Sequence, residues 1–111
     1  PQLHAGVADV ANRDQVDSIV DDARAKLGGL DILVNNAGIA GPTGAVEDVD
    51  PEQWERTIST NLNSQYYFLR KAVPVLKETS KSPSIIAMAS VAVRLGYPFR
   101  TPYAATKWAI V

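Results

Sequence analysis

Continuous apolar runs alternate along this chain with segments in which apolar residues recur every three or four positions. The runs fall at residues 2–10, 30–35 and 84–89, and short runs of this kind predict strands. The periodic segments follow each run and predict amphipathic helices. An order of strand, helix, strand, helix, strand, helix is typical of an α/β fold with a parallel sheet. Because the runs are continuous rather than alternating, we expect both faces of the strands to be covered.

Helix boundary residues support this division of the chain. Asn12 is predicted to cap the first helix, with Gln15 completing a capping box, and Gly28 ends it. Asp50 is predicted to cap the second helix, which continues well beyond residue 70. Thr101 is predicted to cap the last helix, because a proline follows it at a favoured first helical position.

The ends of the chain carry no boundary residues of this kind. Pro1 leads directly into an apolar run, and the last residues stop inside an apolar helical pattern. We therefore expect residues 1–111 to be the central part of a single domain, truncated at both ends. It would contain about three strands and three to four helices, and apolar faces of at least two elements would be uncovered.

Composition excludes several classes of function. Hydrophobic residues make up 46% and charged residues 21%, and a net charge of −1 without a basic run argues against nucleic acid or an anionic membrane as partner. The absence of cysteine excludes disulfides and thiolate chemistry. The only histidine, His4, lies in a predicted strand, so we expect no metal site. Ser90 lacks the flanking glycines of a hydrolase nucleophile elbow, which argues against a hydrolase.

Polar residues follow each predicted strand. Asp9 follows the first, the segment 35–38 (Asn-Asn-Ala-Gly) follows the second, and Ser90 follows the third. The carboxyl ends of parallel strands share one edge of the sheet, where ligands bind, although such residues are also common in turns. Small residues at Ala37 and Gly38 would let a flat ligand approach the backbone. The glycines after residue 37 do not form a GxGxxG phosphate loop.

The last helix carries a second polar pattern. Tyr103 and Lys107 are four positions apart, so a helix places them on one face, and an ammonium beside a phenol favours the phenolate. With Ser90 bonded to the same oxygen, this pair could interconvert an alcohol and a carbonyl. A chance pair on a helix is the plain alternative. Asn61 lies mid-helix, either facing solvent or facing the site at a helix distortion.

Together these residues resemble a known family. The segment 35–38, Asn61, Ser90 and the Tyr103-x-x-x-Lys107 motif, in this order and spacing, are similar to those of the short-chain dehydrogenase/reductase family, and the similarity covers essentially all 111 residues. It implies a Rossmann-like, doubly wound parallel sheet that binds NAD or NADP. It also implies hydride transfer between NAD(P)(H) and a secondary alcohol or ketone.

The resemblance implies a role for each matching position. Tyr103 would be the general acid/base, Lys107 would favour its phenolate and hold the nicotinamide ribose, and Ser90 would orient the substrate oxygen. Asn61 would hold a water that connects Lys107 to solvent. Cofactor-binding positions would be Asp9, Val10, Asn36, Ala37, Gly38, Tyr103 and Lys107.

The family also implies a small-molecule substrate, a homodimer or homotetramer and a cytoplasmic location. Its glycine-rich phosphate loop would precede Pro1, and its substrate segment would follow Val111. Two alternatives stay open. A 3-oxoacyl-thioester reductase would use Arg94 and Arg100 toward an acidic carrier protein or a substrate carboxylate, and a non-catalytic scaffold would only bind the cofactor. The sequence leaves open the substrate, the stereochemistry and the choice between NAD and NADP.

Overall fold

Four α-helices and two short strands make up the regular structure in a computed structural model that describes residues 3–111. In chain order they are α1 (Arg13–Leu27), β1 (Ile32–Asn35), α2 (Pro51–Ile58), α3 (Ser64–Thr79), β2 (Ser84–Ala87) and α4 (Thr101–Ile110). A π-helical segment, Ser59–Asn63, joins α2 to α3 without a break, and single 3₁₀ turns lie at Val46–Asp48 and Val91–Val93. None of the helices described is long and apolar enough to cross a membrane.

The two strands pair in parallel, as the order of strand and helix along the chain predicts. Leu33 lies opposite Ile85 and Asn35 lies opposite Ala87, and the long α2–α3 helix connects the strands. Parallel strands need a crossover connection of this kind, so the α/β fold class is confirmed. Both strands end at the same edge, where the loops 36–50 and 88–100 begin.

The prediction of a buried first strand is wrong for the described residues 3–10. Within residues 3–111 this segment joins no ladder, and the side chains of Leu3 and Val7 are 84% and 101% exposed. An apolar run becomes a strand only where a neighbouring strand supplies hydrogen bonds, and the one strand that pairs with β1 in this part of the chain is β2. His4 instead hydrogen-bonds to Asp22 of α1.

Helix caps largely follow the sequence, with one shift in the capping box of α1. The Asn12 side chain accepts a hydrogen bond from the Gln15 amide at 3.1 Å, and Gly28 ends the helix in the left-handed conformation at φ +82°. The Gln15 side chain reaches beyond the capping residue and accepts from the Asp9 amide at 2.7 Å. At α2, Asp50 accepts from the Gln53 amide at 3.2 Å.

The predicted cap of α4 is displaced by one residue. Thr101 is the first helical residue, and Arg100 occupies the capping position without a side-chain hydrogen bond. The Arg100 carbonyl accepts the first intrahelical bond, from the Ala104 amide at 2.9 Å, and this bond sets the boundary. The proline consequently lies at the second position of the helix, where its missing N–H costs no intrahelical bond.

The apolar core lies between α1 and α3. It consists of Val16, Val20, Ala72, Val75 and Leu76, all buried. Ion pairs border it at the surface, where Arg70 donates to both carboxylate oxygens of Asp17 at 2.5 and 2.6 Å. Such half-exposed pairs contribute little, whereas burial of the apolar side chains stabilises the helix pair substantially.

The strands are covered less than their apolar sequences predict. Ile32, Val34, Ile85 and Ile86 are 44–60% exposed, while α3 packs against β1 and buries Asn35. Within residues 3–111 no element lies over the exposed side chains. Coverage on both faces is therefore not observed here.

Candidate active site

A cleft of about 420 Å³ opens at the carboxyl edge of the two strands. Its walls come from the loop after β1, the loop after β2 and the first turns of α4. The lining residues are Asn36, Gly38, Ile39, Ala40, Met88, Ala89, Tyr97, Arg100, Tyr103 and Lys107. Parallel α/β sheets bind ligands at this edge, so the cleft lies where a ligand is expected.

Helix α4 brings Tyr103 and Lys107 to the same cleft. The Lys107 Nζ lies 5.9 Å from the centroid of the Tyr103 ring, as residues four apart on one helical face should. Lys107 is only 5% exposed, and its Nζ donates to the Met88 carbonyl at 2.9 Å. That bond fixes the ammonium between the strand edge and the phenol and leaves two N–H donors for other partners.

Asn61 lies in the π-helical segment and is fully buried, which excludes the solvent-facing alternative. Its Oδ1 accepts from the Ile39 amide at 2.7 Å, and its Nδ2 donates to the Ile39 carbonyl at 2.9 Å. The second Nδ2 hydrogen is directed to Thr106 Oγ1 at 3.2 Å. Single-turn π-helical distortions recur at functional sites, and here the distortion directs an amide toward the back wall of the cleft.

The loop after β1 passes close to this amide. A Cβ added at Gly38 would lie 3.3 Å from Asn61 Oδ1 and 3.6 Å from Lys107 Nζ, so glycine keeps the space beside the ammonium open. Asn36 lines the cleft, and both it and Ala37 are exposed. These observations fit a flat nicotinamide cofactor held against the backbone, with Lys107 supplying donors to hydroxyl groups.

Ser90 lies beside the cleft rather than in its lining. β2 ends at Ala87, and Ser90 caps the 3₁₀ turn that follows, with its Oγ accepting from the Ala92 amide at 3.2 Å. The neighbouring residue Ala89 does line the cleft. A hydroxyl that accepts one bond still has its own proton to donate.

Asp9 and Val10 occupy different surroundings. The Asp9 carboxylate is exposed and accepts from the Ala11 amide at 3.0 Å, in a turn before α1 rather than at a strand end. Val10 lines a smaller cavity of about 110 Å³ together with Asn36 and Ala37. The structure thus brings Val10, but not the Asp9 carboxylate, to the loop after β1.

Sequence reasoning missed Tyr97 and Thr106 at this site, and it named Arg100 only as a contact for an acidic carrier protein or a substrate carboxylate. The Arg100 guanidinium lies 5.7 Å from the centroids of both the Tyr97 and Tyr103 rings, and its Nη2 donates to the Ala40 carbonyl at 2.7 Å. Arg94 is exposed and lies outside the lining. A threonine inside a helix commonly bonds a carbonyl one turn back, so the sequence could indicate the bond of Thr106 to Tyr103 but not its contact with Asn61.

Comparison with known proteins identifies the family. The whole chain, residues 1–111, matches the family described as short chain dehydrogenase. The chain therefore belongs to the short-chain dehydrogenase family, as the motifs predict. It is 39% identical over 102 residues to trans-4-hydroxycyclohexanecarboxylate dehydrogenase of Sinomonas cyclohexanicum, covering 92% of this chain and 38% of that protein.

Solved structures confirm the Rossmann-like fold class. Aldohexose dehydrogenase of Thermoplasma acidophilum in ligand-free form superimposes with a TM-score of 0.87 at 32% identity, over 99% of this chain and 45% of that one. Carveol dehydrogenase of Mycobacterium avium in complex with NAD gives 0.87 at 29% identity, over 93% and 37%. The chain thus spans less than half the length of these relatives.

Proposed function

We propose that this chain carries the acid–base centre of an NAD(P)-dependent oxidoreductase that interconverts a secondary alcohol and a ketone. The observation that supports it most is the cleft at the strand edge, which Tyr103 and Lys107 line together. A phenol and a buried ammonium side by side are suited to transferring a proton at an oxygen atom. A turn of helix that served only packing would not require either group to face a cavity.

During reduction, negative charge develops on the substrate oxygen as the carbonyl carbon is reduced. Tyr103 donates its phenolic proton to that oxygen, and the Lys107 ammonium stabilises the phenolate left behind. Ser90 supplies a second hydrogen bond through the proton that its bond from Ala92 leaves free. Oxidation of the alcohol runs through the same groups in reverse.

The cofactor proposed for this site is NAD or NADP, which supplies or accepts the hydride when bound. Lys107 would hold the ribose hydroxyls with its two remaining N–H donors, and Gly38 leaves room beside it. Asn36, Ala37 and Val10 lie along the same loop and its small cavity, whereas Asp9 would have to turn away from its present bond to Ala11. Because both Nδ2 hydrogens of Asn61 are used, a water held there binds an oxygen of that residue.

Arg100 favours a second, narrower candidate. The guanidinium lines the cleft three residues before Tyr103, fixed by the Ala40 carbonyl and two aromatic rings. A fixed cation in the lining of the cleft suits substrates that carry a carboxylate or another anion. A 3-oxoacyl-thioester reductase acting on an acidic carrier protein is one such enzyme, although Arg94 lies outside the cleft.

The experiment that separates these candidates is a substrate panel with the full-length protein. Consumption of reduced cofactor is followed with cyclic ketones, sugars, hydroxysteroid ketones and a 3-oxoacyl thioester, each offered with NADH and with NADPH. Turnover of any simple ketone supports the first candidate, and turnover of the thioester alone supports the second. Cofactor binding with no turnover across the panel would indicate the non-catalytic scaffold and contradict the proposal.

We also propose that a second copy of the protein covers the exposed apolar side chains of α3 and α4. Leu62 of the π-helical segment lines one groove there together with Tyr66, Leu69 and Ile110, and Tyr66 and Trp108 are exposed. Exposed apolar side chains beside an apolar groove favour an association site. Sedimentation of the full-length protein should give a dimer or tetramer, and a monomer would refute this assembly.

Cell fractionation tests the cytoplasmic location.

A further inference from the structure

A buried hydroxyl connects Asn61 to the helix that carries Tyr103 and Lys107. Thr106 is fully buried, and its Oγ1 accepts from Asn61 Nδ2 at 3.2 Å while donating to the Tyr103 carbonyl at 2.8 Å. One hydroxyl therefore joins the π-helical segment to the first turns of α4. A hydroxyl that accepts and donates at once is polarised by both bonds, which strengthens each of them.

The other bonds of Asn61 make this connection specific. Its Oδ1 and one Nδ2 hydrogen are both committed to the backbone of Ile39, which lines the cleft. Only the remaining hydrogen reaches α4, and Thr106 receives it. The orientation of the amide is thereby fixed by three hydrogen bonds, and its Oδ1 lies at the position that a Gly38 side chain would crowd.

Thr106 itself does not line the cleft, so it cannot touch a substrate there. It lies on α4 between two residues that do line the cleft, one position before Lys107 and three after Tyr103. Any influence on the reaction must pass through the Tyr103 backbone and the Asn61 amide.

We propose that Thr106 is a positioning residue, whose hydroxyl holds the first turns of α4 in register with Asn61 so that Tyr103 and Lys107 meet in the cleft. This inference rests on the proposed function. The plain alternative is a threonine that merely satisfies a helix carbonyl, as many do. The two differ in whether loss of the hydroxyl acts through Asn61.

A matched pair of variants of the full-length protein isolates the hydroxyl. Thr106→Ser keeps it and Thr106→Ala removes it, while both lose the methyl group. We expect kcat to be about tenfold lower in the alanine variant than in the serine variant, because a buried amide loses its acceptor. KM and the cofactor dissociation constant should differ between the two by less than about threefold. Equal kcat values in the pair would overturn the proposal.

A double-mutant cycle then tests the path of the effect. In an Asn61→Ala background the serine-to-alanine difference at position 106 should disappear, since the donor is gone. A difference that persists in full would overturn the proposal in favour of a purely structural role. If the alanine variant does not fold, Thr106→Val, which fills the same volume without the hydroxyl, is compared with the wild-type threonine in both experiments instead. An inactive wild-type protein would refute the proposed function instead.

Discussion

Two interfaces between helices in this chain bury different kinds of side chain, one apolar and the other polar. Between α1 and α3 the buried side chains are apolar, and the charges lie at the surface. Where α4 packs on α2 and the π-helical segment, the buried side chains include Thr57, Asn61, Thr106 and Lys107. Apolar burial is non-directional and stabilises, whereas buried hydrogen bonds have fixed geometry and position the groups they join. The first interface holds the fold, and the second holds the site.

Removing the buried cation should have the largest effect on activity. In Lys107→Met we expect kcat to fall by about 10²- to 10⁴-fold, the range for loss of acid–base assistance, while the melting temperature changes little. Steady-state kinetics and calorimetry measure the two quantities. Lys77→Met, at an exposed lysine of α3, is the control and should leave both unchanged. Turnover within about threefold of wild type in Lys107→Met would contradict the conclusion that the polar interface holds the site.

The reverse result is expected in the apolar interface. Leu76 is 2% exposed, and Leu76→Ala should lower the free energy of unfolding by about 2–5 kcal/mol through lost burial and the cavity left behind. The kcat of the molecules that remain folded should be unchanged. Leu3→Ala, at a leucine that is 84% exposed, should cost less than about 0.5 kcal/mol in the same denaturant titration. Equal losses would contradict the assignment of this core.

The loop after β1 offers an intermediate test. Gly38→Ala places a methyl group against Asn61 and Lys107, so we expect the cofactor dissociation constant to rise about tenfold from overpacking at the site. Within the described residues a Cβ at Gly44 meets no atom within 4 Å, which makes Gly44→Ala the matched control. Fluorescence titration of the reduced cofactor measures both. Unchanged affinity in Gly38→Ala would argue that the cofactor does not pass beside Lys107.

The ion pairs should give the smallest effect. Asp17→Asn weakens its bond to Arg70, whose side chain is 40% exposed, and the unfolding free energy should drop by about 0.2–1 kcal/mol at low salt. The difference should shrink as salt is added, because mobile ions screen surface charges. A loss that is independent of salt would indicate that this pair acts through packing instead.

Much of this comparison could be predicted from the sequence, and the failures have physical causes. The spacing of Tyr103 and Lys107 fixes a shared helical face, and the caps Asn12 and Asp50 mark helix starts, because these are local properties of the backbone. The prediction of a strand at residues 3–10 failed because a strand depends on a partner strand, which the local sequence pattern does not reveal.

The polar interface, where α4 packs on α2 and the π-helical segment, could be predicted from the sequence only in part. The position of Asn61 inside a helix indicated an unusual role, since asparagine is disfavoured there. Its acceptor Thr106 and the wall residue Arg100 depend on contacts across 45 and 60 positions of sequence. Periodicity within one element carries no information about such contacts.

The most direct test of the account is Tyr103→Phe in the full-length protein, measured for kcat with the best substrate of the panel and for cofactor affinity. Because the change removes one hydroxyl and keeps the ring, packing against Arg100 and Tyr97 should survive. We expect turnover to be abolished while the cofactor dissociation constant stays within about threefold of wild type. Substantial residual turnover would contradict the role of the phenol as proton donor.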